Sequence, residues 1–456
     1  MVVQIIAAIV AVVVSAFSYA KSAQARKKAQ KAASTASAIL VGGHDNNRGQ
    51  YIVYGRRLVG TTVVYKQVHN STLLPTGDRL NRQLGLNLVT ANFTSSAKRF
   101  LHRIESICTG PITEVVGIRI DGTGYQDQRF GQDGIAHFRA VYNLGEESGE
   151  WFSEVNAIEG RWDSSKLGKG VAKLWTTYGL AGDSPAYQGP PSTQAEVKGK
   201  AVWDPRTAQT YNDPTTWTYS ENPALHLLDY LLSSDYGRGL ALTEVDLTSF
   251  IVAANQCDVQ VAIPARLTAA ADFTYWDLYT GLRSPVTTGA VIPTYRDLQV
   301  GTTQPRLAGH SVIDPKEDVL ENVQTLLDVM RASLPWVQGK YKLVIEDAST
   351  PVMALTTDHI IGGLAYGTGR RKDRLNRLTI KFPNRSKQYE IDEVSWPKLT
   401  DALYTQYVGE DGGELLHDVV ELNGCTDYYQ AEDTAEYMVR DSRVDLGVRG
   451  EFTSEA

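Results

Sequence analysis

The stretch "YSENPALHLLDYLLSSDYGRG", Tyr219 to Gly239, marks both ends of a short helix. Asn222 precedes Pro223, and Asn is a favoured N-cap residue while Pro is favoured at the first helical position. Gly237 and Gly239 provide an end signal, because Gly accepts the left-handed geometry that closes helices. The apolar residues between these ends recur at helical spacing on one face, at Ala224, Leu227, Leu228 and Leu231. The stretch therefore predicts a short helix packed against a core.

His226 and Asp229 lie three residues apart on this predicted helix, so their side chains can touch. Both lie outside the leucine stripe. We therefore expect them to form a solvated or interface pair and not a catalytic one.

Strands are predicted on both sides of this helix. Tyr51 to Tyr54 and Thr61 to Tyr65 are rich in β-branched and aromatic residues, and we expect them to pair with each other. "EVVGIRID" predicts a strand that ends at the Asp121-Gly122 turn. "LPWVQGKYKLVIED" predicts a hairpin with Gln338-Gly339 at its turn.

Two more helices are predicted in the C-terminal half. In "IDPKEDVLENVQTLLDVMRAS" we expect Asp314 to be the N-cap, Pro315 the first helical residue and Glu317 the end of a capping box. A last amphipathic helix is predicted in "TDYYQAEDTAEYMVRDSRV", with its apolar face on Ala431, Ala435, Met438 and Val439.

A chain of 456 residues is too long for one hydrophobic core. Its 39 Gly and 23 Tyr favour a strand-rich and loop-rich protein over a helical bundle. We predict an α+β, multidomain, β-rich protein with a few short packed helices and an N-terminal hydrophobic helix. The predicted domains are residues 1–40, 45–200 with an insertion at about 125–195, 201–310, and 311–456, the last continuing into further C-terminal domains.

The N-terminus combines an apolar segment with a basic one. Val2 to Ala20 is uncharged and nearly long enough to span a bilayer, and Lys21, Arg26, Lys27, Lys28 and Lys31 follow it. A secretory signal peptide would carry its positive charges before the apolar run, and none precede it here. Small and polar residues line one side of the predicted helix, which favours close helix packing. A helix that inserts in a membrane and a helix that lies in a protein channel are both open.

No known catalytic or ligand-binding pattern is found in the sequence. The net charge of −7 argues against a nucleic-acid reader, and the three Cys, Cys108, Cys257 and Cys425, form no CxxC pair. HExxH, GxSxG and GxGxxG patterns are absent, and the loop Asp121 to Gly134 lacks the spacing of a calcium loop. We predict no enzymatic activity, no catalytic residues, no cofactor and no metal.

The segment that ends in the first predicted helix resembles a signature of tailed-phage central hub proteins, the lambda-type tip attachment (protein J-like) or host-specificity family. The matching residues are Lys198, Gly199, Asp204, Pro205, Arg206, Thr207, Ser220, Asn222, Pro223, Ala224, Tyr236, Gly237 and Gly239. Four further blocks resemble the family in the same order, and the resemblance spans about Gly49 to Ser442. They are "YIVYGRRLVGTTVVY", "GHSVIDPKEDVLENVQTLLDVMRASLPWVQGKYKLVI", "RRKDRLNRLTIKFPNRSKQYEIDEV" and "ELNGCTDYYQAEDTAEYMVRDSR".

This resemblance implies a structural virion protein made in the host cytoplasm. Three copies would form the hub at the distal tip of a non-contractile tail and enclose the DNA exit channel. Implied partners are the distal tail protein, other tip proteins, tail fibres and the tape measure protein, and DNA would pass without specific binding. In such a trimer the N-terminal helix would plug the tip or enter the host membrane through residues 2–20 during DNA ejection. The resemblance makes Asp204-Pro205 and Asn222-Pro223 fixed structural turns.

Two other classes of protein stay open at this point. One is a membrane-anchored bacterial or prophage envelope protein, which the apolar N-terminus favours. The other is a tail-associated enzyme that degrades the host envelope, because carboxylate pairs brought together by folding are invisible in a sequence.

Overall fold

The computed structural model describes residues 50–69, 99–124, 138–149, 162–180, 190–263, 303–346, 360–368, 374–443 and 446–452, with the short pieces 131–132, 135–136, 151–152, 155 and 187. The predicted N-terminal helix, residues 1–40, lies outside the described residues. The chain forms two compact units, one of Ala36–Val344 and one that includes Ile345–Ala456. The domain boundaries predicted near residues 200 and 310 stay a prediction.

The described residues form a β-rich α+β structure. The strands as far as the end of the first unit are β1 (Ile52–Val53), β2 (Arg56–Gly60), β3 (Thr62–His69), β4 (Arg99–Thr109), β5 (Glu114–Ile120), β6 (Thr123–Gly124), β7 (Gly131–Gln132), β8 (Ile135–Ala136), β9 (Phe138–Asn143), β10 (Val171–Leu180), β11 (Thr193–Lys198), β12 (Ala201–Val202), β13 (Thr218–Tyr219), β14 (Gln260–Ala262), β15 (Thr303–Pro305), β16 (Val312–Ile313), β17 (Ala332–Ser333), β18 (Trp336–Val337), β19 (Lys340–Tyr341) and β20 (Val344–Ile345). The later strands are β21 (Ile360–Thr368), β22 (Arg377–Asn384), β23 (Glu390–Trp396), β24 (His417–Glu421) and β25 (Leu446–Phe452). The helices are α1 (Pro223–Leu232), α2 (Leu247–Cys257), α3 (Val319–Met330), α4 (Ala402–Glu410) and α5 (Tyr428–Ser442).

Two four-stranded antiparallel sheets build the N-terminal part of the first unit. Their strand orders are β3–β4–β10–β9 and β2–β11–β5–β6, and the chain passes from one to the other at Thr61. Alternate residues of both sheets face a shared core, which includes Leu101, Leu174, Ile118 and Val197. The sheets therefore form one β domain whose core lies between them.

The prediction that Tyr51 to Tyr54 and Thr61 to Tyr65 pair with each other is wrong. β1 pairs with the distant β16, β2 pairs with β11, and β3 pairs with β4. The left-handed Gly55, with φ of +66°, separates β1 from β2, and β2 is a strand that lies between the two predicted segments. The predicted strand is confirmed as β5. The turn after it is confirmed as well, and both of its residues, Asp121 and Gly122, have positive φ.

Three helices follow the β domain, and α2 and α3 pack against α1, all ten residues of which are buried. α1 begins as predicted, with the Asn222 side chain accepting from the Ala224 N–H at 3.1 Å. α3 begins later than predicted, and its N-cap is Asp318. Asp314 caps a separate turn, because its side chain accepts from the Lys316 N–H at 2.9 Å and its carbonyl accepts from the Glu317 N–H at 3.1 Å. The β18–β19 hairpin and its turn at Gln338-Gly339 are confirmed.

The second unit contains a three-stranded sheet covered by a helix. β22 pairs antiparallel with β23 and parallel with β24. The last predicted helix is confirmed as α5, which packs on this sheet through Ala431, Ala435 and Val439. A separate pair of antiparallel strands, β21 and β25, lies in the same unit. None of the helices in the described ranges is long and apolar enough to cross a bilayer.

Candidate functional site

Among the described residues, no group of three or more His, Cys, Asp or Glu side chains is placed to hold a metal ion. The three cysteines form no disulfide and are buried, and burial raises the pKa of Cys108 and of Cys257 to about 12. These two thiols stay protonated and are poor nucleophiles and metal ligands. In the part of the chain that the structure describes, three buried polar clusters that join remote segments stand out.

The first cluster is centred on the Asp229 carboxylate of α1. Tyr54 Oη and Tyr236 Oη each donate to Asp229 Oδ2 at 2.6 Å. Lys200 Nζ donates to Oδ1 at 3.1 Å and to Oδ2 at 3.2 Å, and it also contacts the Tyr236 hydroxyl. We call these four residues the Asp229 joint. It links the β1–β2 segment and the end of β11 to the helix and to the loop that follows it.

The Asp229 joint is held in a low-dielectric environment. Asp229, Tyr54 and His226 are buried, and the Lys200 side chain is about one-fifth exposed. Burial, and next the Asp229 charge, raise the pKa of both Tyr54 and Tyr236 well above the usual tyrosine value. Both phenols therefore stay protonated and act as donors. Three donors occupy the carboxylate, so the arrangement suits a fixed connection better than proton transfer to a substrate.

The prediction that His226 and Asp229 form a solvated or interface pair is wrong, because both residues are buried. They meet through a third residue, Tyr54, which sequence reasoning did not assign. The His226 ring stacks on the Tyr54 ring with centroids 5.0 Å apart, while Asp229 binds the hydroxyl of the same ring. His226 Nε2 lies 2.8 Å from the Ser220 carbonyl oxygen. Burial lowers the pKa of His226 to about 4, so the ring is neutral at pH 7.

Glycines of the resembling blocks allow the backbone to approach closely around this joint. A Cβ on Gly199 would lie 2.0 Å from the Val53 carbonyl oxygen, and one on Gly237 would lie 1.7 Å from that of Tyr230. Both distances are far below any van der Waals contact. These two positions therefore require Gly because of the space available, and they bring Lys200 and Tyr236 to Asp229.

Arg206 fixes the Asp204-Pro205 turn to α2. Its guanidinium forms a two-pronged ion pair with Asp204, with Nε–Oδ1 at 2.9 Å and Nη2–Oδ2 at 2.8 Å. Nη1 reaches Asp258 Oδ2 at 2.7 Å and Asn255 Oδ1 at 3.0 Å, at the end of the helix. Burial would raise the pKa of Asp204, but the hydrogen bonds from Arg206 outweigh it and the pKa is lowered. The Asp204-Pro205 turn, which the resemblance implies is structural, is therefore held by a bidentate ion pair with Arg206.

The second cluster is centred on Asp411 in the C-terminal unit. Arg443 Nη1 donates to Asp411 Oδ2 at 2.8 Å, Arg374 Nη1 lies 3.3 Å from Oδ1, and Asn376 Nδ2 donates at 3.1 Å. The Leu375 N–H donates to Ser442 Oγ at 3.0 Å. Burial would raise the pKa of Asp411, but Arg443, Asn376 and Arg374 together lower it. The D-R-x-N block and the Ser-Arg end of the last block therefore meet at one carboxylate.

The third cluster lies in the β domain, and nothing in the sequence pointed to it. Glu105 is buried, and its carboxylate accepts from the hydroxyls of Thr61, Thr176 at 2.7 Å and Thr193 at 3.1 Å. Thr176 belongs to one sheet and Thr193 to the other, so Glu105 ties the two sheets together. The alternation of apolar and polar residues in a strand does not identify such a residue, because a Glu at an inward position simply interrupts the apolar pattern.

The fold and these clusters define a class of protein: a β-rich, multidomain chain whose buried polar groups connect segments. The chain is 24% identical over 259 residues to "Baseplate hub protein pb3" of Escherichia phage T5, which is 56% of this chain and 24% of that protein. It thus spans about a quarter of the length of this relative. A solved structure, "Virion of native gene transfer agent (GTA) particle", aligns with a TM-score of 0.49 and 14% identity over 89% of this chain and 75% of that one. No family model matches the chain.

Proposed function

We propose that this protein is a structural component of a phage virion, the central hub at the distal tip of a non-contractile tail. The observation that carries the proposal is the similarity over 259 residues to a baseplate hub protein. The order of five sequence blocks that resemble lambda-type tip attachment proteins agrees with it, although the similarity found by comparison is to a different hub protein. Residues of these blocks meet in the buried Asp229 and Asp411 clusters, where they connect remote segments of the chain.

In this proposal three copies surround the DNA exit channel and bind the distal tail protein, the tape measure protein, other tip proteins and fibres. A chain with a net charge of −7 gives the phosphates of passing DNA little to bind. The N-terminal segment, residues 2–20, plugs the tip or enters the host membrane during ejection. Absence of enzymatic activity is part of the same proposal.

Gold-labelled antibody raised against residues 40–456 tests the location on intact virions. We expect label at the distal end of the tail, with about three copies per particle by quantitative mass spectrometry. Native mass spectrometry of the purified protein should give a complex of three 50.1 kDa chains. Unlabelled particles, with the protein in the host membrane fraction, would instead support the membrane-anchored alternative and refute the hub.

A second experiment tests the role of the N-terminus. Deletion of residues 2–38 should leave particles that assemble and adsorb but do not deliver DNA. Normal infectivity of the deletion phage would refute a role in ejection. A zymogram on peptidoglycan and capsule addresses the envelope-degrading alternative, for which a clear lysis zone would overturn the proposal of a non-enzymatic hub.

A further inference from the structure

The Asp229 joint places an amine against a carboxylate in nearly dry surroundings. Lys200 Nζ lies 3.1 Å from Asp229 Oδ1 and 3.2 Å from Oδ2. Because these two distances are almost equal, Nζ also lies roughly 3 to 3.5 Å from Cγ, which is the separation of a near-attack geometry. The Asp229 side chain is 5% exposed and that of Lys200 is 21% exposed. A nucleophilic nitrogen and an acyl carbon therefore lie within reach of a covalent bond.

Tyr236 makes a contact that a simple ion pair does not need. Its hydroxyl donates to Asp229 Oδ2 at 2.6 Å and also contacts Lys200 Nζ. One hydroxyl thus bridges the nitrogen that must lose protons and the oxygen that must gain them. Such a bridge relays a proton by accepting one while it donates its own, so no phenolate has to form. This is important here because burial, and next the Asp229 charge, raise the pKa of Tyr236 well above its usual value.

Tyr54 and two aromatic rings complete the site. Tyr54 Oη donates to the same Oδ2 at 2.6 Å, so two hydroxyls converge on one oxygen of the carboxylate. Donors at this oxygen assist its departure as a leaving group. The rings of Trp217 and Tyr236 lie 5.5 Å and 4.8 Å from Lys200 Nζ and restrict the position of the amine. The joint therefore combines a nucleophile, an acyl carbon, a proton relay and donors to the leaving oxygen.

We propose that Lys200 and Asp229 condense to an isopeptide bond, so that the Asp229 joint is a site of covalent self-modification. Tyr236 first relays one proton from Nζ to Oδ2, which gives a neutral amine and a carboxylic acid. The lone pair of Nζ then attacks Cγ, and the Cγ–Oδ2 bond breaks with both electrons on oxygen. A second proton passes from Nζ through Tyr236, and Oδ2 departs as water. One ammonium and one carboxylate thus become one amide and one water, and no further reactant is needed.

Burial and proximity favour this product. A buried ion pair carries a desolvation cost of several kcal/mol per ion, whereas an amide has no net charge. Contact between the two groups makes the step intramolecular, with effective molarities that reach about 10⁵–10⁸ M. The ion pair described above is the state before condensation, and freshly folded protein should contain mostly that state. The reaction occurs once per chain and does not depend on the hub proposal, so the two proposals fail independently.

Tryptic mass spectrometry of the full-length protein after prolonged incubation at 37 °C tests the proposal. Trypsin cuts an unreacted chain after Lys200 and gives the peptides Ala201–Arg206 and Thr207–Arg238. Condensation blocks this cut and joins Gly199–Arg206 to Thr207–Arg238 in a branched peptide that is lighter by one water. Fragment ions should place the new bond between Lys200 and Asp229. Complete cleavage after Lys200, with no branched peptide after the incubation, would overturn the proposal.

Two controls separate this bond from other dehydrations. A succinimide at an Asp-Gly step such as Asp121-Gly122 also loses one water, but hydroxylamine opens it and leaves an isopeptide bond intact. Lys387 and Asp392, with Nζ and Oδ1 2.6 Å apart, are the matched pair inside the same protein. A further donor to Asp392 is Asn384 Nδ2 at 2.9 Å, an amide that does not relay protons, so we expect no link there. Equal yields of linked product at both pairs would show that contact alone is sufficient and would refute the relay.

Three variants of the full chain assign the roles of the side chains. Lys200→Arg keeps a cation at the joint but lacks the reacting amine, so the branched peptide should be absent. Tyr236→Phe keeps the ring and removes the bridging hydroxyl, and the rate of condensation should fall about a hundredfold or more, as is typical for loss of general acid–base catalysis. Tyr54→Phe also removes a hydroxyl from Oδ2 but leaves the bridge, so it should slow the reaction less. Equal rates in wild type and Tyr236→Phe would contradict the relay.

Discussion

Replacing Asp229 by Asn is the sharpest test of the buried joint. Asn has nearly the shape of Asp, so packing is kept while the charge is removed. Lys200 then loses its carboxylate partner, and the two phenols of Tyr54 and Tyr236 lose a charged acceptor. Breaking a buried ion pair by removing one partner destabilises by about 3–5 kcal/mol. Because the Lys200 side chain is 21% exposed and regains some hydration, we expect about 2–4 kcal/mol.

Amide hydrogen exchange of the full-length protein measures this locally. A loss of about 2–4 kcal/mol in the opening free energy of α1 corresponds to roughly 30- to 900-fold faster exchange of its amides. Lys200→Met in the same chain is the matched partner, because it removes the charge that Asp229→Asn leaves unpaired. The double variant should be more stable than the sum of the single effects predicts. The stabilising role of the Asp229 joint would be refuted by equal exchange rates of α1 in wild type and Asp229→Asn. Strictly additive effects of the two single variants in the double variant would refute it as well.

Three other changes test the remaining features. Gly199→Ala should destabilise the protein by about 2 kcal/mol or more in thermal unfolding, because the new Cβ would lie 2.0 Å from a carbonyl oxygen. Gly117→Ala is the control and should have almost no effect, because no atom lies within 4 Å of its new Cβ. Burial lowers the pKa of His226 from 6.5 to about 4, so stability that is present above pH 6.5 is lost as the pH falls towards 4. In urea titrations, the free energy of unfolding of His226→Phe should therefore fall by about 3 kcal/mol less than that of wild type between pH 7 and pH 4. Arg443→Met should speed hydrogen exchange of the α5 amides at pH 7. The difference in exchange rate from wild type should shrink as the pH falls through the lowered pKa of Asp411, because the carboxylate is then protonated. A difference that does not depend on pH would contradict this.

Local signals in the sequence were sufficient for several elements. Asn222-Pro223 determines the start of α1, and the Gln338-Gly339 pair determines the β18–β19 turn, because both depend on residues close in the chain. The apolar spacing of Ala431, Ala435 and Val439 likewise identified the buried face of α5. These predictions rest on backbone preferences and helical period, which a few neighbouring residues express fully.

Strand partners and buried polar contacts depend on residues far apart, and the sequence could not show them. β1 pairs with β16, about 260 residues away, so the pattern of Tyr51 to Tyr54 revealed a strand without its partner. Tyr54 and Asp229 are 175 residues apart. His226 and Asp229 lay off the leucine stripe, and this suggested solvent exposure. In the structure α1 is buried on all sides, so its polar face meets other polar groups and not water.

The positions of the three clusters suggest why their carboxylates are buried. Each carboxylate lies where remote segments meet: Glu105 between two sheets, Asp229 between the β domain and α1, and Asp411 between the start of β22 and the end of α5. Apolar contacts at such places would permit sliding, because their strength depends little on direction. A buried carboxylate with fixed donors tolerates no displacement, since each lost hydrogen bond leaves a desolvated charge. Connections of this kind suit a protein whose segments must keep their geometry under load, as the proposed role in a tail hub would demand.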